Sequence, residues 1–243
     1  MKCCLVFGQG ICVRVCKAAV IILISLGLVA CQGSPQRDSP VQGRDFSIDS
    51  LAKGDVDMVA EISVRQSLDQ LRELTRKLYV RNPNQYRLSA EAALNRLFGP
   101  RRLDVIPILQ GRRSTAAIQL ALAPDYTGDR VQAFAFGMRT MLLDAYGGDE
   151  KFYLHDTLDP QKIYYLARNF EVAFWKLRHD RDPAGQPLLL SNELSGAGDL
   201  SFERLAGKLI ALQDLMAQVI ADSTNRQLKN VIQGVASVVF FPL

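Results

Sequence analysis

Apolar and polar positions change rhythm along the 243 residues of this chain. Ala18 to Leu28 is an uncharged, largely aliphatic run. Residues 32 to 54 are polar and rich in Gly, Ser, Pro and Asp, with only Phe46, Ile48 and Leu51 as large apolar anchors. From Asp55 a period near 3.6 takes over. Val64, Leu68, Leu71, Leu74 and Leu78 fall on one stripe, with Arg65, Asp69, Arg72, Glu73 and Lys77 between them, which predicts an amphipathic helix. Asn82-Pro83-Asn84 ends it, because the residue before a proline is pushed out of the helical region.

The same reasoning predicts five or six further helices. Ser89 caps a short one in which Leu88 staples against Ala93 and Leu94, Leu97 and Phe98 face inward, stopped by Gly99-Pro100. Another runs from Thr115 to Ala123, before Pro124. Asp129 caps the next, with Val131, Phe134, Met138, Met141, Leu142 and Ala145 on one face and Gly147-Gly148 as its stop. Asp159-Pro160 opens a helix carrying Ile163, Leu166, Ala167, Phe170, Phe174 and Leu177 inward. After a long loop over residues 180 to 199, Ser201 caps a helix stapled by Leu200 and Leu205. Its stripe is Phe202, Leu205, Leu209, Leu212, Met216 and Val219. A break near Ser223 precedes a last helix through Leu228, Val231, Ile232 and Val235. No strand hairpin stands out, so the predicted fold is all-α, six to seven helices packed as antiparallel pairs.

The first 31 residues read differently. Lys2, Arg14 and Lys17 precede the apolar run, which closes on Leu28-Val29-Ala30-Cys31. A positive region, a short apolar core and small residues form the layout of a secretory signal peptide. Eleven residues are too few for a spanning helix, which needs about 20. With cysteine directly after the small pair, the site resembles the lipobox of bacterial lipoproteins. The resemblance implies that residues 1–30 are removed, that Cys31 is acylated, and that the covalent lipid is the only prosthetic group. Gln32 in place of aspartate implies outer-membrane retention, with the domain facing the periplasm. The expected organisation is therefore signal peptide 1–30, lipidated tether 31–54 and a single helical domain 55–243.

This organisation changes the charge and the thiol chemistry. Three of the 29 basic residues and none of the 25 acidic ones lie in residues 1–30, so the formal net charge of +4 falls to +1 in the mature chain. A broad nucleic-acid footprint is not expected of so neutral a chain. All five cysteines are at or before residue 31, which leaves the helical part without a thiol for a disulfide, a nucleophile or a metal.

Catalytic and metal patterns are sparse. There is no Gly-x-Ser-x-Gly elbow, no His-x-x-x-His pair and no calcium loop. The two histidines, His155 and His179, are each followed by aspartate, and surface positions account for both. Asp55-Val56-Asp57 and Asp149-Glu150 are explained by helix dipoles. Arg101, Arg102, Arg112 and Arg113 flank an apolar Val105 to Leu109 segment, and arginine forks suit phosphate or carboxylate groups of an envelope surface. The uncharged run Val235 to Leu243 is either core or a docking segment. Residues Arg72 to Leu97, with Asn82-Pro83-Asn84 between two helices, resemble a tetratricopeptide helix pair, without a second copy at the repeat spacing of about 34 residues.

The expected function is a non-catalytic, lipid-anchored binding or scaffolding protein of the envelope, whose partner is an envelope protein or cell-wall component. One alternative is a carrier with an apolar cavity built from Phe134, Met138, Met141, Phe170, Phe174 and Trp175. Another is a cell-wall enzyme using Glu150, Asp156 or Glu171.

Overall fold

In the computed structural model, six helices follow one another with no strand among the described residues. Those residues are 55–85, 89–99, 104–148, 158–191, 200–224 and 239–243. The helices are α1 (Asp55–Arg81), α2 (Ala90–Phe98), α3 (Ser114–Ala121), α4 (Arg130–Ala145), α5 (Pro160–His179) and α6 (Ser201–Thr224). The fold is all-α, as the periodicity predicts. The expected signal peptide and tether, Cys31, Leu88 and the helix expected through Leu228 to Val235 lie outside the described residues.

Most of the helix boundaries follow from the capping residues. Ser89 Oγ accepts from Ala92 N–H, Asp129 Oδ1 from Gln132 N–H, and Asp159 Oδ1 from Gln161 N–H, with Pro160 as the first helical residue. Gly147 and Gly148, both at positive φ, close α4 as Gly148 N–H reaches back to Leu143 O. Three ends differ from expectation. Helix α3 starts at Ser114 and finishes at Ala121, where Ala121 O and Ala123 O accept from a side chain of α4 described below. Helix α6 begins at Ser201 itself: Arg204 N–H bonds to Leu200 O, so Leu200 is the cap, and its side chain is exposed and forms no staple.

Helix α4 occupies the centre, packed by α1, α2, α3 and α5. The sequence suggests one apolar face; the structure buries almost the whole circumference, adding Ala133, Ala135, Phe136, Gly137, Arg139, Thr140 and Leu143 to the expected set. Cross-contacts show the helices running antiparallel. Ser114 meets Thr140 and Asp144 while Arg130 meets Ala121, which pairs α3 with α4 head to tail. Tyr79–Asp129 and Ser63–Tyr146 do the same for α1 and α4, and Phe174–Phe202 with Arg168–Asp214 for α5 and α6. Gly137 is what lets α3 approach: a Cβ there would stand 2.8 Å from Ser114 O and 2.7 Å from Ile118 Cγ1.

Two arginines of α4 close the ends of neighbouring helices. Carbonyls in the last turn of a helix have no intrahelical donor. Arg130 supplies one to Ala121 O and Ala123 O at 2.8 and 2.7 Å, and to Pro124 O at 3.0 Å. Arg139, only 2 % exposed, donates to Leu97 O of α2 at 2.6 Å and to Asp104 at 3.0 Å, with its guanidinium over the Phe136 ring.

The inward face of α6 is turned one residue from the expected stripe. Phe202, Leu209 and Met216 are buried and Leu205 packs on the core as expected, but the buried face is completed by Ala206, Gln213 and Ile220, while Leu212 and Val219 are only partly buried. Gln213 explains the turn. Its Oε1 accepts from Tyr146 O–H at 2.8 Å and its Nε2 donates to Ser67 Oγ at 2.8 Å, while Tyr146 and Ser63 hydroxyls lie 3.2 Å apart. A buried amide must be satisfied, so this network sets the register of α1, α4 and α6.

Candidate functional site

The larger of the two clefts described here lies where α1 ends, α2 begins and α4 begins. It has a volume of about 380 Å³ and is lined by Gln85, Ser89, Arg96, Ile108, Asp129 and Gln132, with Asn84, Ala93, Thr127 and Gly128. Asn82-Pro83-Asn84 turns the chain out of α1, and Ser89 restarts it as α2, so the cleft is formed by the break itself. Its polar groups are largely held by the frame. Gln85 Oε1 accepts from Arg130 N–H and Asp129 Oδ1 from Gln132 N–H, which satisfies two free donors at the start of α4.

Asp129 has a second partner, the Tyr79 hydroxyl, which donates to Oδ2 at 3.0 Å. Burial raises the Asp129 pKa against the lowering effect of its hydrogen bonds, and burial followed by the negative charge of Asp129 raises that of Tyr79. With both oxygens engaged, Asp129 acts as a cap and an anchor for α1. Arg96 is the cleft's exposed cation, so the cavity presents a guanidinium and amide groups to an incoming polar or anionic group.

The loop from Asp104 to Arg113 borders this cleft through Ile108. Val105 and Ile108 are 66 % and 52 % exposed, while Ile106 and Leu109 are buried and pin the loop to the core. Of the four arginines expected here, Arg101 and Arg102 lie outside the described residues. Arg112 is exposed and its Nη1 reaches Gln110 Oε1 at 3.5 Å. Arg113 forms an ion pair with Asp144 at 2.9 Å, beside the Ser114 hydroxyl, which also bonds to Asp144. The structure therefore brings Arg112 to the surface with two apolar side chains and gives Arg113 a bracing role between α3 and α4.

The other sequence candidates fall as follows. Phe134, Met138, Met141, Phe170 and Phe174 are core residues, Trp175 is 40 % exposed, and the two clefts described here are lined by other residues. His179 stacks on Trp175 with ring centroids 4.4 Å apart, its Nδ1 2.8 Å from Trp175 O. Glu171 pairs with Arg168, which also holds Asp214; burial raises its pKa, Arg168 lowers it and Asp214 raises it. His155, Asp156, Asp149 and Glu150 lie outside the described residues. Among the described residues no group of three His, Cys, Asp or Glu is placed to hold a metal, and no helix is long and apolar enough to cross a membrane.

Residues Val239–Leu243 settle against the domain. Asn169, fully buried on α5, donates from Nδ2 to Phe241 O at 2.9 Å and accepts from Phe241 N–H at 2.6 Å. Tyr165, one turn earlier, stacks on the Phe241 ring at 5.1 Å. Phe240 and Leu243 pack on the core half-buried. Asn82 clasps Leu190 in the same manner, with both bonds at 2.9 Å. Sequence reading took Asn82 only as part of a helix stop and missed Asn169, since a carboxamide inside or at the end of an apolar stripe is the only signal these clasps leave. Comparison with protein-family models, curated proteins and solved structures finds no match to this chain.

Proposed function

We propose that this chain is a lipid-anchored binding or scaffolding protein of the cell envelope, held at the outer membrane through Cys31 and presenting its helical domain to the periplasm. The single observation that carries the reading is Leu28-Val29-Ala30-Cys31 behind a charged-then-apolar segment, followed by a polar tether. The lipid would confine the domain to a layer next to the membrane and raise its effective concentration for envelope partners.

The contact face in this reading is the cleft together with the Asp104–Arg113 loop. Val105, Ile108 and Arg112 offer apolar area and a guanidinium on one pinned loop, and Arg96 adds a second cation in the adjoining cleft. That combination suits an envelope surface or polymer bearing phosphate or carboxylate groups. The polar groups of the cleft are engaged in capping, which supports recognition over proton transfer as its role.

The test is fractionation of cells fed a labelled fatty acid such as palmitate. The native chain should carry label and sediment with the outer membrane; the Cys31→Ser chain should lose the label. Sedimentation of unlabelled native chain in the soluble fraction would refute the anchor. Exchange of Arg101, Arg102, Arg112 and Arg113 for serine should weaken binding to anionic vesicles or wall polymer, and unchanged binding would remove the loop from the contact face.

A further inference from the structure

We infer, resting on the reading of the cleft as a recognition site, that the cleft between the end of α1 and the starts of α2 and α4 binds a saccharide unit bearing one carboxylate. Arg96 is the partner of that carboxylate, and the amide and hydroxyl groups around it receive the ring.

Charge decides the anionic end. Arg96 is exposed and forms no hydrogen bond or ion pair among the described residues. The carboxylate of its own helix, Glu91, is taken by Arg72 of α1. Burial and then Asp129 raise the Tyr79 pKa while Arg96 lowers it, which puts the guanidinium within electrostatic reach of the Tyr79–Asp129 pair. Asp129 is itself spent on the Gln132 N–H and the Tyr79 O–H. The cleft thus offers one open cation beside one carboxylate whose oxygens are engaged. A ligand with a single anionic group matches that pair, since a guanidinium fork suits a carboxylate, whereas a dense polyanion would be repelled by Asp129.

The remaining lining decides the neutral part. Ser89 Oγ accepts from Ala92 N–H and Gln85 Oε1 from Arg130 N–H, which leaves the Ser89 hydroxyl hydrogen and Gln85 Nε2 for a ligand. The side chains of Asn84, Thr127 and Gln132 form no hydrogen bond among the described residues. Carboxamides and hydroxyls together present mixed donors and acceptors, the complement of a sugar's hydroxyl groups. Only Ala93 and Ile108 are apolar, enough to meet one face of a ring and too little to hold a lipid chain. A volume of about 380 Å³ lies at the small end of ligand sites, which span about 300–1,000 Å³, so it suits a sugar unit with its substituents over a long chain. The capping bonds of Gln85, Ser89 and Asp129 fix the walls beforehand, which lowers the ordering cost of binding.

The probes are N-acetylmuramic acid, an amino sugar with one carboxylate, its neutral methyl ester, and inorganic phosphate. Each is titrated by calorimetry into the full chain and into Arg96→Gln, Arg96→Lys and Gln132→Ala, with helicity and melting checked for every variant. The native chain should bind the acid at least about tenfold more tightly than the ester, the difference a charged hydrogen-bonded pair supplies. Arg96→Gln should bring the acid down to the ester, Arg96→Lys should keep part of the preference, and Gln132→Ala should weaken both sugars alike. Equal binding of acid and ester to the native chain, or unchanged binding of the acid by Arg96→Gln, would overturn the carboxylate pairing while leaving the cleft a recognition site. Phosphate that binds as tightly as the acid and displaces it would reduce the cleft to an anion site and overturn the saccharide. No binding of either sugar to the folded native chain would overturn the proposal together with the cleft's recognition role, and the anchor is read separately because no membrane is present.

Discussion

Arg139 and Asp129 show how single polar side chains govern the interior. Arg139 caps Leu97 O from inside the core, and its removal leaves that carbonyl without its donor and a cavity beside Phe136. Arg139→Met should cost about 3 kcal/mol in denaturant unfolding. A loss under about 0.5 kcal/mol, as for a surface change, would contradict the capping role. Asp129 predicts a pH effect. Because burial raises its pKa in the fold, its favourable share is complete in acid and is withdrawn as pH rises through the unfolded and then the folded value. Asn at this position keeps the cap acceptor without the charge. Asp129→Asn should therefore gain melting temperature relative to the native chain as pH rises from below the ordinary carboxylate range through the raised folded value, whereas parallel curves would show that the carboxyl is not strained by burial. The sequence marks Asp129 as a cap but not its burial or its bond to Tyr79, and it leaves the capping role of Arg139 unseen, because the pattern does not say how many neighbours surround a helix.

Elements were legible where local chemistry decides them. Ser89, Asp129 and Asp159-Pro160 mark starts that the structure keeps, since a cap acts on the N–H groups two or three residues away. What local pattern could not supply was register. The stripe of α6 admits two readings one residue apart that share Phe202, Leu209 and Met216, and Gln213 decides between them through Ser67 and Tyr146 on other elements. Close approach of elements is equally non-local. Gly137 sits mid-helix, where glycine is costly, and the reason lies in α3: its Ser114 O and Ile118 leave no space for a methyl group. Gly137→Ala should destabilise by about 1–3 kcal/mol despite its better helix propensity. A stabilised variant would mean that α3 and α4 can part freely.

At the scale of the whole molecule, the described residues form an all-α fold with a sparse site. The sequence marked the helix break at Asn82-Pro83-Asn84 and Ser89 but not the cleft that this break opens, and the arginine loop beside it was singled out by its charge. The Asn169–Phe241 clasp was not foreseen, since it joins residues 72 positions apart. Segment 239–243 should contribute to stability: Asn169→Leu, which abolishes both bonds to Phe241, should lower the melting temperature by several degrees, corresponding to about 1–2 kcal/mol, and an unchanged melt would detach the segment from the fold. In the proposed reading an anchor at Cys31 would give these surfaces a setting, for a nearly neutral chain has little long-range pull of its own and would depend on being held where partners are. The most direct measurement of that claim is the intact mass of the protein extracted from membranes with detergent. The account predicts a chain that begins at Cys31 and carries the added mass of acyl groups on that residue; a chain that retains residues 1–30, or one with an unmodified Cys31, would contradict it.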